Sequence, residues 1–135
     1  MVNWVKRQPV SLNPLSLHRS KVGYVGEGIA ANFLRKKGYR ILERNFKARY
    51  GEIDIIAIDK DTLVFVEVKT RTGTQFGTPE EAITPWKLRE VAKTAEFYAS
   101  LHPELPQGLR IDVVGIVLGP NDEVLSLQHT PNVML

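Results

Sequence analysis

The 135-residue sequence contains no cysteine. This absence excludes disulfide bonds, thiolate zinc sites and cysteine nucleophiles, and it favours a cytoplasmic location. Long apolar runs are missing as well, because none approaches the roughly 18 residues that a bilayer span requires. Pro9 and Pro14 interrupt the apolar stretches near the N-terminus, where a signal peptide would need a continuous core. We therefore expect a cytoplasmic protein that has no membrane partner.

Acidic residues are scarce in the first fifty positions. Eleven Lys or Arg residues stand there against only Glu27 and Glu43, which gives a balance of +9. The remaining positions hold seven Lys or Arg against thirteen Asp or Glu, which gives −6. Basic side chains on a phosphate backbone release counterions, so the basic half predicts a nucleic-acid partner. A solvated basic face with a loose tail is the alternative interpretation.

The order of predicted elements indicates one mixed α/β domain. Residues 1–20 lack periodicity and are interpreted as a flexible or loosely docked N-terminal extension, and residues 21–135 form the domain. A helix is predicted from about Val22 to Lys37, with Gly38 as its stop, and a second helix from Thr84-Pro85 to about Leu101. The predicted strands are Tyr39–Phe46, Ile53–Asp59, Thr62–Lys69, Leu109–Leu118 and Val124–Gln128. This order predicts a central sheet with a helix on each face.

The second and third strands form a hairpin that brings polar residues together. A loop of two or of four residues around Lys60-Asp61 gives the same register. In that register Asp54 faces Glu67 with Cβ atoms about 4.5–5.5 Å apart, and Lys69 projects from the same face. The apolar residues are assigned to two faces, with Ile56, Ile58, Leu63 and Phe65 beside the carboxylates and Ile53, Ile55, Val64, Val66 and Val68 opposite. Burial on both faces predicts a central pair of strands.

Two buried carboxylates that face each other need a compensating positive charge. Lys69 is one source of that charge, and a divalent cation is the other. Mg²⁺ typically binds one or two carboxylates and keeps several waters, so it suits phosphodiester hydrolysis. Glu27, the only acid of the first helix, is a third candidate ligand, or else a solvent-exposed glutamate. The metal ligands are therefore expected to be Asp54, Glu67 and Glu27, with Mg²⁺ or Mn²⁺ bound.

Several other residues each have a functional and an ordinary interpretation. Arg44, Lys47 and Arg49 precede the site and are the best candidates for contacts with a nucleic-acid backbone. Arg71 follows it, and is either a phosphate contact or an exposed loop arginine. Trp86 is either a stacking platform or a partly buried packing residue.

The remaining polar residues are less informative. Glu52 lies opposite Lys69 in the same register, as an ion-pair partner, an auxiliary ligand or a turn residue. Glu67 and Lys69 alone would be an ordinary same-face ion pair on a strand. Asp112 is either an acid that supports the site from behind or an isolated strand acid. No role is assigned to His18, His102 or His129, whose spacing fits no metal site.

Two stretches resemble a known nuclease signature. Gly51-Glu52-Ile53-Asp54, followed by Val66-Glu67-Val68-Lys69, resembles the bipartite motif of the PD-(D/E)XK nuclease superfamily, with Ile53 in place of the proline. Adding Gly26-Glu27, Arg44-Asn45 and Phe76-Gly77, the chain is similar to the uncharacterised bacterial YraN family over roughly residues 20–118.

The resemblance implies a restriction-endonuclease-like fold, a three-layer α/β/α arrangement with a mixed central sheet of about five strands. That family is in turn similar to archaeal Holliday-junction resolvases, which implies that Glu27, Asp54, Glu67 and Lys69 are the catalytic residues around a metal. It also implies a homodimer. The expected function is a metal-dependent endonuclease on branched or repair-intermediate DNA. The alternatives are a non-catalytic nucleic-acid-binding protein on the same fold and a metal-dependent hydrolase of a small phosphorylated substrate.

Overall fold

A five-stranded sheet lies between two helices in the computed structural model, which describes residues 14–73 and 77–133, with side chains from residue 21 onward. Residues 1–13 of the predicted extension and Phe76 of the family motif lie outside the described residues. The elements are α1 (Pro14–Lys36), β1 (Arg40–Ala48), β2 (Gly51–Asp59), β3 (Thr62–Thr72), α2 (Pro85–Leu101), β4 (Gly108–Leu118) and β5 (Val124–Thr130). A short 3₁₀ turn, Glu80–Ala82, precedes α2.

The first helix begins earlier than the sequence predicted. It starts at Pro14 rather than near Val22, so residues 14–20 of the predicted extension are helical. Proline suits a first helical turn, because the N–H that it lacks has no partner there anyway. The predicted stop is confirmed, since Gly38 adopts a φ of 98° and the Tyr39 N–H donates to the Leu34 carbonyl at 3.0 Å. This left-handed residue closes the C-terminus of α1.

The strands lie in chain order, from β1 at one edge to β5 at the other. The β3–β4 pair is parallel, with α2 in the connection between the two strands, and the other pairs are antiparallel. One apolar cluster joins α1 to one face of the sheet, around Leu34, Val64 and Ile116. A second joins α2 to the other face, around Phe65 and Val91. The predicted three-layer α/β/α arrangement with a mixed five-stranded sheet is confirmed. Within the described residues, no helix is both long and apolar enough to cross a bilayer.

The predicted hairpin register is confirmed from Asp59–Thr62 to Ile55–Val66, but the pairing ends there and does not include the predicted Asp54–Glu67 pair. One assignment of faces is wrong. Ile53, however, packs in the α2 cluster and not with Ile55 on the α1 face. The alternation fails at Asp54, which falls between the β1–β2 pairs of Ile53 and Ile55 and lies across from Asn45. Asn45 has a φ of 56°, a left-handed conformation that asparagine tolerates, so the β1–β2 ladder is interrupted at the level where Ile53 and Ile55 lie on opposite faces.

Candidate active site

Asp54 is held by the backbone of the neighbouring strand. The pairs between β2 and β3 end with Ile55 and Val66. Just beyond them, Asp54 Oδ2 accepts a hydrogen bond of 2.8 Å from the Val68 N–H. A carboxylate oxygen therefore takes the place of a ladder acceptor, and it fixes the side chain beside Glu67 at the end of the hairpin.

Glu67 is buried, with 8% of its surface exposed. Burial, and then the charge of Asp54, raise the pKa of Glu67 to about 8, whereas Lys87 acts in the opposite direction. Burial also raises the pKa of Asp54, although hydrogen bonds from the Val68 N–H and from Glu67 lower it. Without a bound cation, burial and the mutual repulsion of the two acids therefore favour a proton on the pair, because a second buried negative charge is costly.

The cation beside the pair is a residue that the sequence analysis did not select. Lys87 Nζ lies 3.9 Å from Glu67 Oε2. Lys87 belongs to the first turn of α2, and its N–H donates to the N-cap hydroxyl of Thr84 at 3.1 Å. The Thr84-Pro85 start signal did place residue 87 in that turn. It carried no information that the start of α2 lies over the end of the hairpin. Lys69 lines the same cavity as Glu67, but has no ion pair with any acid in the described part of the chain.

Glu27 faces the site from α1, and the solvent-exposed alternative is wrong. Its Oε1 lies 3.8 Å from Arg44 Nη2 and is buried without a hydrogen-bond partner. Burial and the charge of Asp54 raise the pKa of Glu27, while Arg44 and Asn45 lower it. Gly26 makes this placement possible, because a Cβ there would lie only 1.8 Å from Thr70 Oγ1. The helix approaches β3 more closely than a side chain at position 26 would allow.

These side chains line a cavity of about 720 Å³. Its acids are Glu27, Glu52, Asp54 and Glu67, and its cations are Lys69, Arg71 and Lys87. The structure therefore brings together all four residues predicted to be catalytic, Glu27, Asp54, Glu67 and Lys69.

Of the four residues predicted to contact nucleic acid, only Arg71 lines the cavity, and the other three lie elsewhere. Arg44 instead contacts Glu27, and Lys47 and Arg49 are exposed at the end of β1 and in the following turn. Glu52 also lines the cavity, but its strand partner is Lys47 of β1.

The carboxylates of the cavity are possible ligands for a divalent cation. Among the described residues, no three Asp, Glu or His side chains form a ready-made metal cluster. Asp54 and Glu67 together still fit Mg²⁺, which binds one or two carboxylates and completes its shell with water. Their oxygens are the hard donors that this ion prefers, and the raised pKa of Glu67 shows that the pair lacks positive charge. Glu27 as a further ligand stays a prediction, as does the metal itself.

Asp112 belongs to a different cluster on the α1 face of β4. It is fully buried and accepts hydrogen bonds from Arg110 Nε at 2.9 Å and His129 Nε2 at 2.8 Å. The Asn132 N–H donates a third at 3.0 Å. We call Asp112, Arg110, His129 and Tyr39 the Asp112 network, since the Tyr39 hydroxyl also bonds to Asp112. None of these residues lines the cavity, and the role of His129 could not be found from spacing, because it depends on strand pairing.

Fold and site together define an α/β/α protein with a buried carboxylate pair at the end of a hairpin. The pair faces a cleft that is lined by three basic side chains, Lys69, Arg71 and Lys87. The chain belongs to UPF0102, an uncharacterised protein family whose model matches residues 26–116. This confirms the resemblance to an uncharacterised bacterial family of the YraN type.

Similar proteins come from several bacteria. A UPF0102 protein of Syntrophomonas wolfei is 50% identical over 98 residues, covering 73% of this chain and 85% of that protein. A UPF0102 protein of Geobacter metallireducens is 42% identical over 118 residues, covering 87% and 95%. The crystal structure of a repair endonuclease from Pyrococcus abyssi matches with a TM-score of 0.34 and 22% identity, covering 70% of this chain and 37% of that one. That likeness is too partial to bear on function.

Proposed function

We propose that the chain is a metal-dependent endonuclease that hydrolyses phosphodiester bonds in the cleft. The observation that carries the proposal is the buried Asp54–Glu67 pair, with Lys87 3.9 Å from Glu67 and Lys69 and Arg71 in the same cavity. Burying two like charges side by side costs stability, so such pairs are concentrated at sites that use them. A cavity that contains both acids and basic side chains suits this reaction, because the acids can bind a metal ion and the basic side chains can attract the phosphate.

Asp54 and Glu67 would hold Mg²⁺ or Mn²⁺, and Glu27 is the third candidate ligand. A bound ion of this kind supplies an activated water and neutralises charge that grows on the phosphate. The Val68 N–H fixes the orientation of Asp54, and the bare Gly26 lets Glu27 reach the cleft. Lys69 and Lys87 provide positive charge where the phosphate would lie, and Lys87 also keeps Glu67 closer to ionisation.

DNA is the proposed partner, on the basis of the charge distribution and the family resemblance. Arg71 lies in the cavity, and Lys47 and Arg49 are exposed at the end of β1 and in the turn that follows it. Branched or repair-intermediate DNA and a homodimer that cuts two strands are proposed from the resemblance to resolvases. Sedimentation at working concentration tests the second point, because a strict monomer would remove it. We propose a cytoplasmic location, because the chain has no cysteine.

The test uses labelled four-way junctions, flaps, single strands and duplexes, each with Mg²⁺, Mn²⁺ or EDTA. We expect metal-dependent cleavage of at least one substrate, and an Asp54→Asn rate that is lower by about 100-fold or more, since a metal ligand contributes several kcal/mol. Asp61→Asn is the matched control, because Asp61 is exposed at the β2–β3 turn and should keep full activity. Salt-sensitive binding without turnover under any metal would instead support the non-catalytic alternative.

A further inference from the structure

Two large aromatic side chains are exposed beside the cleft. Tyr24 of α1 is 74% exposed and Trp86 of α2 is 63% exposed. Each is next in sequence to a residue that lines the cavity, Gly23 in one case and Lys87 in the other. Because α1 and α2 cover opposite faces of the sheet, their lining residues reach the cleft from two sides, and each ring is one residue away from that lining. The partly buried alternative for Trp86 is therefore wrong.

Their exposure follows from helix geometry. Trp86 lies two residues before the buried Leu88, about 200° around the helix, and so points away from the core. Tyr24 stands in the same relation to the buried Val22, and it is three residues from Glu27, so it shares a side of α1 with that cleft residue. Neither ring contributes to the two apolar clusters. Within the described part of the chain, these two side chains therefore have no packing role in the apolar core.

Basic side chains lie near both rings, beside a cavity that also contains the four acids described above. Lys69, Arg71 and Lys87 line the cavity, and Arg89 is exposed three residues after Trp86. Proteins that bind single strands combine a basic groove with aromatic platforms on which bases stack. A continuous duplex hides the faces of its bases, so rings at the edge of a cleft gain contact only where bases are unpaired.

We propose that Tyr24 and Trp86 stack against unpaired bases on either side of the cleft. The substrate class is therefore nucleic acid with unpaired nucleotides, such as a single strand, an overhang or an opened branch point. This inference rests on the proposed function, because it places the same cleft around a phosphodiester bond. A second protein chain covering the rings is the competing occupant, and the test below distinguishes it.

Binding is measured in EDTA, so that no cleavage occurs, at one stated salt concentration. The probes are a single strand, a duplex with an overhang and a blunt duplex, each carrying 2-aminopurine. We expect tighter binding of the two probes that have unpaired bases, together with quenching of 2-aminopurine placed in the unpaired segment. Trp86→Ala and Tyr24→Ala should each weaken that binding by about 5- to 150-fold, the range that stacking of one base provides.

Two control variants separate stacking from folding and charge. Trp86→Phe should retain most of the affinity and the quenching, because a ring remains. Phe97→Ala removes another exposed aromatic of α2, about 15 Å further along the helix than the cavity-lining Lys87, and should leave this binding unchanged. Melting temperatures of all variants should match the wild type, as expected for exposed side chains.

Equal affinity for blunt duplex and single strand, or alanine variants that bind like Phe97→Ala, would overturn the inference. So would a sedimentation result in which Trp86→Ala dissociates an oligomer while nucleic-acid binding is unchanged. Failure here together with Asp54-dependent cleavage would leave the nuclease proposal standing. Binding of unpaired bases without cleavage under any metal would instead remove the nuclease activity and keep the stacking role.

Discussion

Two buried acids of this fold, Asp112 and Glu67, have pKa values that are shifted in opposite directions. At Asp112 burial acts to raise the pKa, but hydrogen bonds from His129, Arg110 and the Asn132 N–H outweigh it and lower the pKa to about 2. At Glu67 burial is reinforced by the charge of Asp54, and the pKa rises to about 8. Both acids lie on strands of the same sheet. The difference is that Asp112 is surrounded by hydrogen-bond donors, whereas Glu67 lies beside a second acid, Asp54, with Lys87 as its ion-pair partner.

Other buried polar atoms show the same division. In the described part of the chain, the buried side-chain atoms without a hydrogen-bond partner are Glu27 Oε1, Arg44 Nε, Thr70 Oγ1 and Arg71 Nε. Glu27, Thr70 and Arg71 line the cleft, and Arg44 contacts Glu27. None of the four residues belongs to the Asp112 network. Because an unsatisfied buried polar group lowers the free energy of unfolding, the residues around the cleft contribute less to stability than the Asp112 network does. Such a cost is typical of sites that a protein keeps for a purpose other than stability.

The largest effect should come from breaking the satisfied site. Asp112→Ala would leave Arg110 Nε and His129 Nε2 without their acceptor, although Arg110 Nη2 keeps Asp59, and it should reduce the free energy of unfolding by about 3–5 kcal/mol. Urea denaturation at pH 7 measures the change. Asp61→Ala, at an exposed acid, should stay within about 0.5 kcal/mol of the wild type. If the two variants were equally stable, the Asp112 network would have no structural role.

Glu67→Gln should act in the opposite direction and stabilise the fold. The pKa of Glu67 is about 8 in the folded state against the ordinary value of 4.5, so the folded chain holds more protons between these values. Stability therefore falls as pH rises from about 4.5 to about 8, and the variant escapes that loss. We expect a gain of about 2–4 kcal/mol at pH 9 that disappears near pH 4.5. Parallel pH profiles of the two proteins would contradict this.

Lys87→Met should reduce cleavage by about 10- to 100-fold, because it removes the cation nearest to Glu67. Lys87→Arg should recover part of the rate, since the charge is kept. Lys93→Met is the matched control, because Lys93 is exposed on the same helix and outside the cavity, and its rate should equal that of the wild type. Single-turnover cleavage measures all three. Equal rates for the two methionine variants would remove Lys87 from the site.

Gly26→Ala should destabilise the fold by about 1–2 kcal/mol, because the new methyl group overlaps Thr70 and moves α1 away from β3. Gly28→Ala is the control on the same helix. Nothing lies within 4 Å of a Cβ at that position, so alanine should be neutral or stabilise by up to about 1 kcal/mol. Thermal melting compares the two. Equal melting temperatures would show that the close approach does not position Glu27.

Local signals in the sequence predicted the elements and the hairpin register. The Lys60-Asp61 turn fixed which residues of β2 and β3 face each other, and Gly38 marked the end of α1. The face of Ile53 could not be predicted in the same way. Strand alternation assumes a regular ladder, and the left-handed Asn45 that breaks it lies on a neighbouring strand.

Long-range packing decided what the sequence could not show about the site. Asp54, Glu67 and Lys69 share one hairpin, so their proximity follows from one turn. Lys87 reaches Glu67 only because α2 crosses the sheet with its first turn over the end of that hairpin. His129 reaches Asp112 only through the pairing of β4 with β5.

We propose that burying Asp54 and Glu67 side by side costs stability and that this pair binds a divalent cation. Calorimetric titration of Mn²⁺ at pH 8 tests it most directly, with the wild type beside Asp54→Asn and Asp61→Asn. We expect saturable binding to the wild type and to Asp61→Asn, and loss of that binding in Asp54→Asn. No binding to the wild type, or binding that Asp54→Asn leaves unchanged, would contradict the claim.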